Sequence, residues 1–212
     1  MKKKLILIGA GGYAKSVIDS IDIEKYHIYG FIDDIKGGTH LGYPILANSL
    51  DKIIDKQEFC YFVSIGDNNK RTFWYNELSK KNLEIINVID KTAILSKNIT
   101  YGHGLFVGKA AIINSDVRIG ENVIINTKAL IEHGGIIGHN SNISTNATLN
   151  GDVEIGMGCF IGSSSVINGQ IKIGNRATVG AGAVVIKDVE ENTTVVGIPA
   201  KEIKRKDETL NE

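Results

Sequence analysis

The sequence predicts a small parallel α/β domain followed by a parallel β-helix, and two patterns carry that prediction. The first is a beat of six: every sixth position from Val107 to Val185 is Ile, Leu or Val, without a slip. A period of six is neither the 3.6 of a helix nor the 2 of a half-buried strand, and it marks hexapeptide coils. The second is an alternation of strand-like and helix-like stretches over residues 1–90, opened by Gly9-Ala10-Gly11-Gly12. Such alternation implies βαβ units and a parallel sheet.

Taken in order, residues 5–8 read as a buried strand, followed by the glycine turn and a helix to about Ser20. Residues 27–33 read as a second strand ending on Asp33-Asp34, and 37–44 as a loop with turn chemistry. A short helix over 49–56, a strand over 59–65 and a turn at Gly66-Asp67-Asn68 come next. The spacing of Trp74 and Leu78 predicts a helix over 70–81, and 85–89 reads as the last strand of a sheet of about four. Residues 91–187 form the coils, with 91–101 as a transition. The stretch 187–200 leaves the repeat as a loop, within a C-terminal segment 188–212 whose charged tail from Lys201 reads as a short helix.

Inside the coils the branched residue points inward, and a smaller one follows four positions later, as at Ala111, Ala129, Ser141 and Cys159. The residue just after the branched one is usually Gly, Asn or Ser, which suits a corner where positive φ is cheap. Three hexapeptides close a coil of about eighteen residues, so positions that far apart stack.

The totals bound the partners. The chain has 212 residues, with 24 basic against 24 acidic side chains, which argues against nucleic acid or an anionic membrane as the main partner. Two cysteines far apart, Cys60 in an apolar run and Cys159 at an inward position, suggest buried thiols in a reducing, cytoplasmic compartment. The lysines before residues 5–8 imitate a secretory signal, but the apolar run is too short for one. No stretch is long enough to span a bilayer.

Strand, GAGGYA, helix, then an acidic pair is an arrangement that holds a nucleotide, with amides facing phosphate and a carboxylate facing ribose or base. On that reading Gly9, Gly11, Gly12, Tyr13, Asp33 and Asp34 bind substrate, joined by Gly66, Asp67 and Lys70 after the third strand. The other reading is a tight turn whose glycines serve packing. A dinucleotide enzyme is disfavoured, because residues 1–90 supply only one of the two mononucleotide halves. In the coils, stacking sets Ser115 below His133 and Gly151 above it, while Glu121 and then His103 lie below His139. A corner needs no imidazole, so His133 is either surface decoration or a base facing a cleft.

A GxGG α/β domain, isoleucine-rich hexapeptides and a VVGIPAK ending resemble the bacterial sugar acyltransferases of the left-handed β-helix class, over nearly the whole chain. INTKALIEHGGIIG, SNIST and LNGDV most resemble the sialic-acid O-acetyltransferases of capsule biosynthesis (NeuD type). They resemble less closely the N-acetyltransferases of nucleotide-linked 4-amino sugars. The resemblance implies left-handed coils and a cytoplasmic homotrimer with acetyl-CoA along the groove between prisms. It implies His133 as general base, Asn126 from the motif seven residues earlier, and the Gly151 amide as receiver of the thioester oxygen. Coil geometry also sets Gly151 one coil above His133.

The chain departs from the amino-sugar enzymes at Gly134 and Asn142, where they usually carry an acid and a second histidine. An orienting carboxylate is then expected from Glu132, Asp116 or Asp152. Coenzyme A is expected along Asn142, Gly151, Gly162 and Gly180, with Lys187 or Lys201 for its phosphates. No metal and no acyl-enzyme are required. The expected function is acetyl-CoA-dependent O-acetylation of a sialic acid in surface-polysaccharide biosynthesis. The alternatives are N-acetylation of a nucleotide-linked 4-amino-4,6-dideoxy sugar and a non-catalytic accessory subunit.

Overall fold

The computed structural model describes residues 2–203 of the chain. The α/β domain runs β1 (Lys3–Ile8), α1 (Tyr13–Ser20), β2 (Tyr26–Ile32), β3 (Thr39–His40), β4 (Tyr43–Ala47), β5 (Phe59–Val63), α2 (Asn68–Lys80) and β6 (Glu84–Ile85). Its sheet has the order β3-β4-β2-β1-β5-β6, parallel except at β3. Leu5, Ile6, Leu7 and Ile8 are all fully buried, because both faces of β1 are covered. Leu5 and Leu7 pack toward α1, while Ile6 and Ile8 pack with Leu78 and Leu83.

Three expectations for this domain need correction. The predicted loop 37–44 contains β3 and leads into β4, an edge hairpin that brings the sheet to six strands. The predicted helix 49–56 is only two short 3₁₀ turns, Leu50–Lys52 and Lys56–Glu58. Leu50 and Ile53 are buried but Ile54 is exposed, so the segment has too short an apolar stripe to draw out a longer helix. The strand expected over 85–89 is divided between two bodies. Glu84–Ile85 completes the α/β sheet, whereas Val88–Ile89 pairs with Phe106–Val107 as the first rung of the prism.

From Val88 the chain winds as a left-handed parallel β-helix of two-residue strands, each paired in parallel with the strand eighteen residues on, as Ile113 is with Ile131. The second residue of each strand points inward: Ile113, Ile131, Leu149 and Ile167 are fully buried in one continuous core. Burying each of these contributes about 2–3 kcal/mol. The first residue of each strand points outward, so the three faces of the prism differ in chemistry. The first face shows Phe106, Ile124, Asn142, Phe160 and Thr178, and its lower half is covered by the α/β domain. The second face carries Ile94, Ile112, Leu130, Thr148, Val166 and Val184, a ladder apolar at every rung but Thr148. The third carries Thr100, Arg118, Ile136, Glu154 and Lys172.

Positive φ, expected just after the inward residue, falls three positions after it. Ala110, Asp116, Asn122, Lys128, Asn140 and Asp152 all have φ between 53° and 64°, and Gly134 has 70°. The corner conformation is thus imposed even on Ala and Lys, which elsewhere disfavour it by about 1–2 kcal/mol. The glycines just after the inward residue serve close stacking: a Cβ on Gly138 would lie 2.5 Å from the carbonyl carbon of Gly156.

The coils also outlast the expected end. Val189 bridges Ile173, and Thr194–Val196 pairs with Thr178–Val179 in a shortened last coil that sets Val195 opposite Val179. Lys201–Glu202 then turns back antiparallel on Val195–Val196, a strand where a helix was expected. The remainder of that expected helix, 204–212, lies outside the described residues.

Candidate active site

The chemistry-bearing residues gather beside the α/β sheet and along one edge of the prism. A cleft opens beyond the carboxyl ends of the paired strands β1 and β5, whose following helices cover opposite faces of the sheet, the position where open α/β sheets collect ligands. It measures about 250 Å³ and is lined by Gly9, Gly11, Gly12, Asp33, Lys70 and Trp74, among others. Tyr13, Asp34 and Gly66 line it too, so all the sequence-predicted substrate residues but Asp67 converge here.

Asp33 has a different task from the one expected. Its Oδ2 accepts from the Ala10 N–H at 2.7 Å, and its Oδ1 accepts from Ile35 and Lys36 at 3.0 and 2.8 Å. Burial works to raise its pKa, but these three amides hold the carboxyl below its ordinary value. Asp33 therefore ties the glycine turn to the end of β2, leaving Asp34 as the exposed carboxylate. Lys36, which sequence reasoning missed, donates to the Ala10 carbonyl and lines the same cleft. With Lys70 it supplies two cations beside the free amides at the start of α1. A lysine after an acidic pair was the available signal.

The tyrosine at the head of α1 packs edge-on against Phe106 of the prism, 5.3 Å between ring centres. Its hydroxyl is buried without a partner. A deeper joint lies at Arg71, which is 1% exposed and has no carboxylate among the described ion pairs. Its guanidinium donates to the carbonyls of Gly66 (3.0 Å), Asn122 (3.2 Å) and Asn140 (2.8 Å), and to Oδ1 of Asn68 (2.8 Å). Burial lowers its pKa to about 10, against the pull of Tyr13 and Asp67. Asn68 in turn donates to the carbonyls of Gly158 and Cys159, the next coil up. α2 is thus fastened to three successive coils, which neither Arg71 nor Asn68 announced in the sequence.

Along the prism, His133 stands on the corner between the apolar second face and the charged third one, with its side chain 65% exposed. The column through it runs Ser115, His133, Gly151, Gly169, Lys187, each two residues past an inward one. The imidazole leans over Gly151: a Cβ there would lie 2.6 Å from Cε1 and 2.8 Å from Nε2. The Gly151 N–H has no acceptor among the described residues, and only its carbonyl is engaged, by Gln170. A basic ring and an unpaired amide one coil apart is an arrangement that can take a proton and receive an oxyanion.

Of the three candidate carboxylates, only Asp152 comes near the ring, with Oδ1 4.0 Å from Nδ1. It reaches there because Gly134 has no side chain: a Cβ on Gly134 would land on that oxygen. Asp116 is instead engaged by the side-chain amide of Asn98, and Glu132 makes no described contact with His133. Asn126 follows the strand Ile124–Ile125 of the first face and so occupies the corner on the far side of the second face, together with Gly162 and Gly180. The expected coenzyme residues therefore divide between two corners, Gly151 and Lys187 on one and Gly162 and Gly180 on the other.

Asn142 departs most from expectation. It lies on the first face at the rim of the α/β domain, 7% exposed, with Oδ1 unpaired, and does not meet His133 within the chain. His139 and Glu121 stack on the third corner, 3.8 Å apart, next to α2 and away from His133. Cys159 points inward as expected, its Sγ 3.1 Å from the Gly174 carbonyl, and burial pushes its thiol pKa up.

Known proteins share both domains of this fold. Residues 4–78 match the family described as PglD N-terminal domain, and 134–169 and 152–187 match bacterial transferase hexapeptide (six repeats). A curated relative, an uncharacterized protein of Acanthamoeba polyphaga mimivirus, is 35% identical over 104 residues, 48% of this chain. The chain spans 20% of that relative's length. PerB from Caulobacter crescentus, solved with CoA and GDP-perosamine, is 30% identical over 95% of this chain and 97% of its own, with a TM-score of 0.90. A histidine-to-asparagine mutant of perosamine N-acetyltransferase from the same organism, also solved with CoA and GDP-perosamine, is 29% identical over the same shares, TM-score 0.90. The acetyltransferase domain of PglB from Neisseria gonorrhoeae, in complex with acetyl coenzyme A, is 29% identical over 96% of this chain and 100% of its own, TM-score 0.91. Both domains and their connection are shared throughout, and the chain belongs to the hexapeptide-repeat sugar acetyltransferase family.

Proposed function

We propose that the protein transfers the acetyl group of acetyl-CoA to the amine of a nucleotide-linked amino sugar. The enzyme is an acetyl-CoA-dependent sugar acetyltransferase, like the neighbours solved with CoA or acetyl coenzyme A. The observation that carries the reading is the His133 ring leaning over the unpaired Gly151 amide on an open edge of the prism. His133 takes a proton from the attacking nitrogen, and the Gly151 N–H receives the oxyanion forming on the thioester carbon. The tetrahedral intermediate then expels the CoA thiolate.

The amine acceptor is preferred to a sialic-acid hydroxyl for two reasons. The solved neighbours named for a sugar carry GDP-perosamine. The feature that pointed away from them, Gly134 after the histidine, loses its force because Asp152 occupies the space a side chain there would fill. Asp152 acts as a positioning residue for His133. Asp152→Asn is expected to lower kcat about tenfold, with both KM values unchanged and partial recovery in Asp152→Glu, while Asp116→Asn leaves kcat within about twofold. Equal losses in the two asparagine variants would remove Asp152 from this role.

The site is completed between copies of the chain, in a homotrimer. The apolar second face gives the reason, since Ile94 is 63% exposed and Ile112, Leu130, Val166 and Val184 continue its ladder. His133 and Asn126 stand at the two borders of that face, so packing copies on it brings one chain's His133 corner beside another's Asn126, Gly162 and Gly180. Incubating the enzyme with acetyl-CoA and, separately, GDP-perosamine, a UDP-linked 4-amino-4,6-dideoxy sugar, sialic acid and its CMP form tests the acceptor. A mass gain of one acetyl on an amino sugar is expected, and acetylation of sialic acid alone would reverse the choice.

A further inference from the structure

We infer that Lys128 of one copy of the chain pairs with Glu132 of the next, and that this ion pair sets the register in which copies pack on their second faces. The inference rests on the proposed homotrimer and deepens it.

Two columns of side chains border the second face. Lys128 stands two residues before the outward Leu130, in a column whose other members are Thr92, Ala110, Asn146, Ser164 and Gly182. Glu132 stands two residues after Leu130, in a column whose other members are Ser96, Asn114, Asn150, Asn168 and Ile186. Each border of the face therefore carries a single charge. The two are opposite in sign and fall on the same rung.

Nothing inside the chain accounts for either charge. Lys128 is exposed and has a φ of 58°, a corner conformation that suits Gly or Asn and gives a lysine no advantage. Neither side chain enters an ion pair among the described residues. Within one chain the strand Leu130–Ile131 separates them, so they meet different neighbours.

Copies that cover this face along its length have parallel prism axes, and rotation about a parallel axis keeps every residue at its own height. Lys128 and Glu132 are four residues apart in a coil of eighteen that rises by one strand spacing, about 4.8 Å, so their heights differ by only about 1 Å. The His133 corner of one copy adjoins the Asn126 corner of the next, and there the carboxylate and the ammonium arrive at one level beside the apolar ladder.

The ladder cannot choose that level by itself. Slipped by one coil, branched side chains such as Ile94, Ile112 and Leu130 still meet branched side chains. The same slip sets Lys128 opposite Asn114 or Asn150 and strands both charges at the margin of an apolar interface, which is the costly arrangement. A lone polar position that fixes the register of an otherwise repetitive seam is the device coiled coils use. Register matters here because Lys128 follows Asn126 by two residues and Glu132 directly precedes His133. The pair that locks the rung also levels one copy's Asn126 with the next copy's His133.

The test reads the oligomeric state of the whole chain by sedimentation over a dilution series, with no substrate present. Lys128→Glu and Glu132→Lys each set like charges against one another at every interface, and the concentration of half-dissociation is expected to rise at least about tenfold in each. The double change K128E/E132K restores opposite charges and is expected to return that concentration to within about threefold of the parent. An equimolar mixture of the two single variants assembles where neither does alone, which no contact within one chain can achieve. Single variants that stay assembled at the parent's dilution overturn the inference, as does a double variant as weak as the singles, or a monomeric parent. A parent that assembles through this pair but acetylates no amino sugar would fail the proposed function and leave the pair standing.

Discussion

Replacing His133 with alanine is expected to lower kcat for acetyl transfer about a thousandfold, with Tm and the KM for acetyl-CoA little changed. The size follows from the chemistry. General-base assistance contributes roughly 10²–10⁴ to such reactions, and no second imidazole stands on that corner of the prism. His139, the next histidine, faces Glu121 on another corner and cannot substitute. The stability expectation follows from exposure, since a side chain 65% exposed and standing over a glycine fills no part of the core. Activity of the alanine variant within tenfold of the parent would sink the base assignment. Loss of activity together with loss of folded protein would mean the corner, not the chemistry, was damaged.

The site was legible in the sequence wherever it rests on the repeat. A beat of six with three sides puts Gly151 over His133 by counting alone, and the imidazole does lean over that glycine. The same counting placed Asp152 and Asp116 symmetrically about Gly134, and only side-chain geometry separates them, because Asn98 engages Asp116 from below. The end of the coils was misread because the last coil is shorter than the others, so Val189 and Val195 no longer fall on the beat. Asn142 illustrates the other limit. Its position on the first face follows from the repeat, but its burial comes from the α/β domain lying against that face, which no local pattern encodes. Asp33 was found by its place after β2, yet a sequence cannot say that its two oxygens are engaged by the protein's own amides.

Arg71 is where that hidden docking is concentrated, and Arg71→Ala is expected to destabilise the protein by about 3–5 kcal/mol. The change removes the donors that satisfy the carbonyls of Gly66, Asn122 and Asn140, and it leaves a cavity at a side chain 1% exposed. Unpaired buried carbonyls cost about 1–3 kcal/mol each when the site stays closed, so α2 should lift and let water in. Limited proteolysis is expected to cut between the two bodies, near residues 84–89, and Tm to fall by roughly 10 °C. Arg71→Lys should recover little of this, since one ammonium cannot span carbonyls of two coils and the Gly66 loop together. The loss reaches function through Gly66, whose carbonyl Arg71 holds and which lines the cleft at the glycine turn. Affinity for a bare nucleoside diphosphate should therefore drop along with stability in the alanine variant. A lysine variant as stable and as active as the parent would mean that apolar packing of Tyr13 and Phe106, rather than this guanidinium, holds the α/β domain on the prism.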